Sequence, residues 1–189
     1  PLVFDPGTAW DYGTGIDWAG KAVEAVSGKS LGVYLADNLF APLGMRDTGF
    51  RIRDDQRTRL ARLHARTPEG TVPIDFEIPP APAFEMGGGG LYSTVGDYLR
   101  FARMILGGGA LDGKRVLAAP TVAQMSHNAM GDLRCQSLKS ASPASTNAFD
   151  VLADTQRGLS FLPQQDPSPT RTSAGPWAAR EVGYASSVG

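Results

Sequence analysis

Cysteine is almost missing from this chain: Cys135 is the only one, which excludes an intramolecular disulfide and argues against a cysteine-based metal site. Histidine is nearly as scarce. His64 and His127 lie far apart in sequence, and neither belongs to a ligand-spaced cluster such as H-E-x-x-H, so no metal site and no cofactor are expected. No apolar run reaches the roughly 18 residues that a membrane span requires. Charge of one sign is missing too. Eighteen Lys and Arg against nineteen Asp and Glu leave a net charge of −1, mixed along the chain, with no basic patch for nucleic acid and no acidic tail. The chain opens on Pro1-Leu2-Val3-Phe4, without methionine, which reads like the interior of a domain.

What is present is mostly helical in pattern. Residues 5–15 form a Gly/Pro/Asp-rich connection, after which Ile16, Ala19, Gly20, Val23 and Val26 recur at helical spacing. Gly28 is placed to stop that helix, and Ser30 to cap the next, whose apolar face is Leu31, Tyr34, Leu35 and Leu39. Pro42 and Gly44 are expected to end it. Between Arg51 and Phe84 the pattern weakens, with short strands expected over Ala61 to Arg66 and Thr71 to Phe76 and a proline-rich loop up to Pro82. After Gly87 to Gly90, Thr94 and Asp97 form an S/T-x-x-D capping pair. The following helix should bury Val95, Leu99, Ala102, Ile105 and Leu106 before Gly107-Gly108-Gly109 ends it. Pro120 suits the start of a further helix with Val122 and Met125 inside. Beyond Ser137 the composition turns to Ser, Ala, Pro and Thr, with one strand expected over Gly158 to Leu162. So many helices with so few strands suggest a helical subdomain leaning on a sheet built from other residues.

Pro6-Gly7-Thr8-Ala9-Trp10-Asp11-Tyr12-Gly13-Thr14 resembles the P-G-[ST]-x-x-x-Y-[ASG]-[NT] segment of the β-lactamase-like serine hydrolases, which include class C β-lactamases, D-alanyl-D-alanine peptidases and family VIII carboxylesterases. Phe40-Ala41-Pro42-Leu43-Gly44-Met45-Arg46-Asp47-Thr48 follows in register. A second block, Gly87-Gly88-Gly89-Gly90-Leu91-Tyr92-Ser93-Thr94 with Asp97, Tyr98 and Phe101, is similar to the family's G-G-L-x-S-T-x-x-D-[YL]-x-x-F. The similarity runs from Pro6 to about Met125 and thins thereafter. It implies an α+β, β-lactamase/transpeptidase-like fold, present in part: a helical subdomain plus fragments of the antiparallel sheet. The domain reading is a single incomplete domain over 1–189, best matched over 1–130, with a divergent tail at 176–189.

The resemblance also implies a reaction: serine hydrolysis of carboxylic esters through an acyl-enzyme, on a small-molecule ester or lactam substrate. A serine hydroxyl is too weak a nucleophile at neutral pH without a base. In this family the base is implied to be a tyrosine phenolate held beside a lysine, here Tyr12, and a nearby ammonium favours the ionised phenol. The same group can return its proton to the leaving alcohol. Thr14 stands where β-lactamases usually carry Asn. It is a candidate to hydrogen-bond the lysine or the substrate's acyl group, and it tilts the reading toward esters. Without the surrounding blocks, Tyr12 would read as a packing aromatic in a loop.

The family's nucleophile lies in S-x-x-K, which occurs nowhere in the chain; Ser27-Gly28-Lys29 and Ser137-Leu138-Lys139 have the wrong spacing. The family's K-T-G, H-x-G or W-x-G strand is not clear either, since Trp177 lacks a glycine two positions later. Gly28-Lys29-Ser30-Leu31-Gly32 matches the G-x-S-x-G elbow of α/β-hydrolases, which has meaning only between a strand and a helix; a helix is expected before it, so capping is the better use of Ser30. The glycine run lacks the Lys-Ser/Thr of a phosphate loop and reads as close backbone passage. Ser93 is expected to satisfy the first amides of the helix after it. Three readings follow: a serine esterase, with β-lactamase and peptidase activity open; a truncated module that only binds; and a small α/β-hydrolase using Ser30 with His64 or His127.

Overall fold

The computed structural model describes residues 4–75, 77 and 82–136, together with the backbone of residues 162–163 and 180–181. The chain divides into two compact units. One comprises Pro1–Tyr12, Ile105–Ala110 and Leu117–Gly189; the other comprises Gly13–Met104 and Leu111–Val116.

The second unit begins with α1, Gly15–Ser27, which Gly28 ends in the left-handed conformation, its N–H bonded to the Glu24 carbonyl. Ser30 then caps α2, Leu31–Leu35, by accepting from the Val33 N–H at 3.4 Å. The chain runs on through a π-helical turn, Ala36–Phe40, into α3, Ala41–Leu43, which Gly44 ends. Pro42 therefore does not stop this helix. The π-turn shifts the hydrogen-bond register, so Pro42 falls in the first turn of α3, where a missing N–H is tolerated.

Two elements of the weakly patterned region differ from expectation. A short helix, α4, spans Asp54–Arg57, held by the Arg53 N–H donating to Gln56 Oε1 at 2.8 Å. The strands are β1, Leu63–Thr67, and β2, Gly70–Ile74, an antiparallel hairpin in which Leu63 faces Ile74 and His64 faces Pro73. Both lie within a residue or two of the expected spans.

The expected buried face of α5, Val95–Leu106, needs correction. Val95 is 80% exposed and Leu99 and Leu106 are exposed as well, whereas Met104 and Ile105 are completely buried. Asp97, Phe101 and Met104 share one face at helical spacing, and buried Asp97 sets it. Its carboxylate accepts from the Asp47 N–H at 2.8 Å and from the Thr48 hydroxyl at 2.9 Å. Thr94 Oγ1 caps the helix by accepting from the Asp97 N–H at 3.2 Å, so the capping pair is half realised: its acid is spent on the loop after α3. Arg100 Nε donates to the Leu43 carbonyl at the end of α3, and its Nη2 pairs with Asp112 at 3.0 Å. The core of this unit is Leu31, Phe40, Leu43, Met45, Phe50, Met104 and Leu111.

A minimal hairpin follows, β3 at Ala110–Leu111 and β4 at Lys114–Arg115. In the first unit, α6, Ala119–Met125, has Pro120 in its first turn and buries Val122, with Ile105 and Cys135 also buried. Met125 is half-buried. Of the strand expected over Gly158 to Leu162, only Leu162 is described; Leu162–Pro163 forms β5, antiparallel to β6 at Arg180–Glu181. Strand β6 falls in the divergent tail, where a two-residue pairing needs no apolar period. The remainder of the tail, including Trp177, lies outside the described residues.

Candidate active site

Tyr12 closes the N-terminal stretch of the first unit. That stretch turns at Asp5 to Thr8, where the Asp5 carbonyl accepts from both the Thr8 N–H, at 3.1 Å, and the Thr8 hydroxyl, at 2.7 Å. The Tyr12 N–H donates to Asp11 Oδ1 at 2.8 Å, and the residue is 47% exposed. Thr14, in the second unit, is the N-cap of α1. Its carbonyl accepts from the Asp17 and Trp18 amides at 3.0 and 3.4 Å, while its exposed side chain makes no capping bond. That hydroxyl is therefore not spent on the helix it precedes.

The glycine run explains itself by contact with the first turn of α1. A Cβ on Gly87 would collide with the Ile16 carbonyl oxygen, and one on Gly88 would come within 2.8 Å of Ile16 Cγ2. A Cβ on buried Gly20 would meet Leu31 Cδ2 at 3.0 Å and the Gly87 Cα at 3.3 Å. The Gly88 N–H is fixed by Asp17 Oδ1 at 2.8 Å. The run is a close backbone passage against the first turn of α1, as its composition suggested.

Ser30 sits at a helix N-cap after a helix and its αL glycine, which is not the strand-to-helix setting of a nucleophile elbow. His127 Nδ1, just past the end of α6, lies 2.7 Å from the Ala123 carbonyl, and His64 is exposed on β1. Ser93 is not the helix cap it was expected to be; its hydroxyl lies 2.8 Å from that of Thr48, and Thr94 takes the capping role. No group of three His, Cys, Asp or Glu that could hold a metal occurs among the described residues.

Sequence reasoning missed a charged cluster in the second unit. Arg59 donates to both carboxylate oxygens of Asp47, at 2.8 and 3.0 Å, and Gln56 Nε2 adds a third bond at 3.0 Å. These bonds, chiefly Arg59's and then Gln56's, with Arg53 nearby, bring the Asp47 carboxyl down to about 2. The cluster borders a cleft of about 330 Å³ whose apolar wall includes Ile52, Leu60, Leu63 and Leu91. Tyr92 also lines it; burial first, then the charge of Glu77, pushes its phenol above the ordinary range, partly offset by Arg57. Burial pushes Tyr98 up as well. Both tyrosines of the second block are thus biased toward the neutral form. The only advance signal of the cluster was the arginine-rich run after Asp47.

The chain has similar proteins of known name. It is 39% identical over 114 residues to the lovastatin esterase of Penicillium rubens, covering 56% of this chain and 28% of that one. It is 37% identical over 113 residues to the monacolin J acid methylbutanoyltransferase of Aspergillus terreus, covering 56% and 27%. The chain thus spans less than a third of the length of either relative. Among solved structures, simvastatin synthase (LovD) from Aspergillus terreus superposes with a TM-score of 0.70 at 28% identity, over 91% of this chain and 44% of that one. The fold is β-lactamase/transpeptidase-like, present in part, and such relatives belong to a superfamily of serine hydrolases and acyltransferases. The Beta-lactamase family pattern matches residues 1–181, and with nearly the whole sequence so matched, the chain belongs to the Beta-lactamase family.

Proposed function

We propose that this chain carries the tyrosine-bearing part of a serine hydrolase that cleaves carboxylic esters. Tyr12, as phenolate, takes the proton from a serine hydroxyl of an S-x-x-K segment while that oxygen attacks the ester carbonyl. The tetrahedral intermediate collapses, the C–O bond to the alcohol breaks, and Tyr12 returns the proton to the departing alkoxide. Water, deprotonated by the same tyrosine, then attacks the acyl-serine carbonyl; the bond to the serine oxygen breaks, Tyr12 returns the proton to that oxygen, and the acid is released. Backbone amides hold the oxyanion. Thr14 contacts the lysine or the acyl group with a hydroxyl that no capping bond occupies.

One observation carries this reading: the Tyr12-Gly13-Thr14 segment leads straight into the α1 turn on which Gly87 and Gly88 are seated. Within the second unit, Ile16 and Asp17, just after the first block in sequence, thus pack against Gly87 and Gly88 of the second. The esterase relative supports ester chemistry. The methylbutanoyltransferase relative favours a second reading, in which an alcohol replaces water as the acceptor of the acyl group. β-Lactam or D-Ala-D-Ala substrates are the third possibility within the same chemistry.

The test uses a protein containing both this chain and an S-x-x-K segment, assayed with p-nitrophenyl esters and nitrocefin. Tyr12→Phe should lower ester kcat by about 10²- to 10⁴-fold, the usual range for loss of a general base, with an unchanged circular dichroism spectrum. Full activity in Tyr12→Phe would sink the assignment.

A further inference from the structure

Thr14 and Asp17 occupy the N-cap and third positions of α1, the T-x-x-D spacing of a capping box. In such a box the hydroxyl accepts from the amide three residues on, and the acid reaches back to the N-cap amide. Neither half forms here. The Thr14 backbone, at φ −87° and ψ 17°, lies in the sparsely populated bridge region, not in the extended conformation of a capping residue. Its carbonyl, rather than its hydroxyl, accepts from the Asp17 N–H at 3.0 Å. The Asp17 carboxylate goes instead to the Gly88 N–H, 71 positions on. Other caps in the chain behave in the ordinary way. Ser30 is extended, at ψ 154°, with its hydroxyl on the Val33 amide, and Thr94, at the same T-x-x-D spacing, uses its hydroxyl on the Asp97 amide.

We propose that Asp17 is a positioning residue for Thr14: by tying the first turn of α1 to the glycine run, it withholds Thr14 from capping and keeps the hydroxyl for chemistry. The proposal rests on the ester-cleavage reading above, in which that hydroxyl meets the lysine or the acyl group. A second contact holds the same joint. A Cβ on Gly87 would sit 2.2 Å from the Ile16 carbonyl oxygen, so no side chain fits at position 87 without displacing the residue between Thr14 and Asp17 in the turn. Residues 14, 16, 17, 87 and 88 all belong to the second unit, so the joint is internal to it. Once the carboxylate is removed, the turn is free to relax to the ordinary cap. Thr14 then rotates toward the extended region, and its hydroxyl is consumed by the amide of residue 17. The helix gains a cap, and the site loses a hydrogen-bonding group.

The test takes a protein containing this chain and an S-x-x-K segment, and compares the parent, Thr14→Val, Asp17→Ala and the double variant on p-nitrophenyl esters. Thr14→Val should lower kcat/KM about tenfold, the upper end for one hydrogen bond, and leave the thermal midpoint unchanged because no capping bond is lost. Asp17→Ala should lower it by a similar factor. The double variant should be no worse than Thr14→Val alone, the mark of one residue acting through another. Asp17→Asn, whose amide oxygen can still accept from the Gly88 N–H, should keep near-parent activity. Gly87→Ala strains the same joint from the other side and should likewise add nothing to Thr14→Val. An Asp17 that serves only the fold gives a different pattern: effects that multiply in the double variant, or Asn no better than Ala. Either result overturns the proposal, as does unchanged activity in Thr14→Val or Asp17→Ala, or a lowered thermal midpoint in Thr14→Val. Full activity in Tyr12→Phe would overturn the base assigned above, whereas the coupling of Asp17 to Thr14 is read from the four proteins independently of it.

Discussion

At the scale of single residues, Asp47 is the most strongly perturbed carboxylate described. Arg59, Gln56 and Arg53 favour its ionised form, so its folded value, about 2, lies below the ordinary 3.8. A depressed carboxylate contributes stability that is fully present above its unfolded value and lost as pH falls toward the folded one. The stability difference between the parent and Asp47→Asn should therefore be present at neutral pH, shrink below about pH 4 and have largely gone near pH 2. Urea midpoints across that range check it; a difference constant with pH would rule it out. Little of this was visible in sequence. Asp47 was read as part of the family-like block, and nothing in linear spacing says that Arg59, twelve positions on, folds back to chelate it. Ser30 and Gly28, whose tasks are local, were legible because capping depends only on neighbours three or four residues away.

Among elements, α1, α2, α5 and α6 were all anticipated, since periodicity, caps and breakers are local signals. The facing of α2 and α6 was anticipated too, whereas that of α1 and much of α5 was not. Periodicity reveals that a helix has an apolar side; which side the neighbouring elements cover is decided by long-range contacts. Asp97 illustrates the gap. Sequence assigned it to capping, whereas it ties α5 to the loop after α3 through the Asp47 amide and the Thr48 hydroxyl. Asp97→Ala leaves that part-buried amide without its carboxylate, which costs at most about 1–3 kcal/mol. A lowered thermal midpoint, with the α-helical spectrum retained below it, is the expected signature. Short α4 went unnoticed because four residues cannot display a period, and its stabilising exchange between Arg53 and Gln56 involves no residue type typical of a helix start.

For the whole molecule, the absence of S-x-x-K outweighs every local feature. The chain on its own should give no turnover of p-nitrophenyl esters above background, and the small α/β-hydrolase alternative makes the opposite prediction. Activity of the isolated chain that Ser30→Ala abolishes would reinstate that alternative. Fold class was readable from two ordered blocks at a set separation, and the family match bears it out. That the glycine run seats on the first turn of α1 was not readable, because it depends on how closely Gly87 can approach the Ile16 carbonyl.

The β1–β2 hairpin has a bearing on how the chain behaves before it is fully folded. A two-stranded ribbon exposes two rows of unpaired backbone groups, which can recruit strands from other molecules. Pro73, in register with His64, removes one donor from β2, and prolines within strands sit with the nitrogen facing outward. The β2 edge is thus an interrupted template for intermolecular pairing. Stacking of partly folded chains would be channelled to the β1 edge, and replacing Pro73 by a residue with an amide hydrogen would open a second route to aggregation.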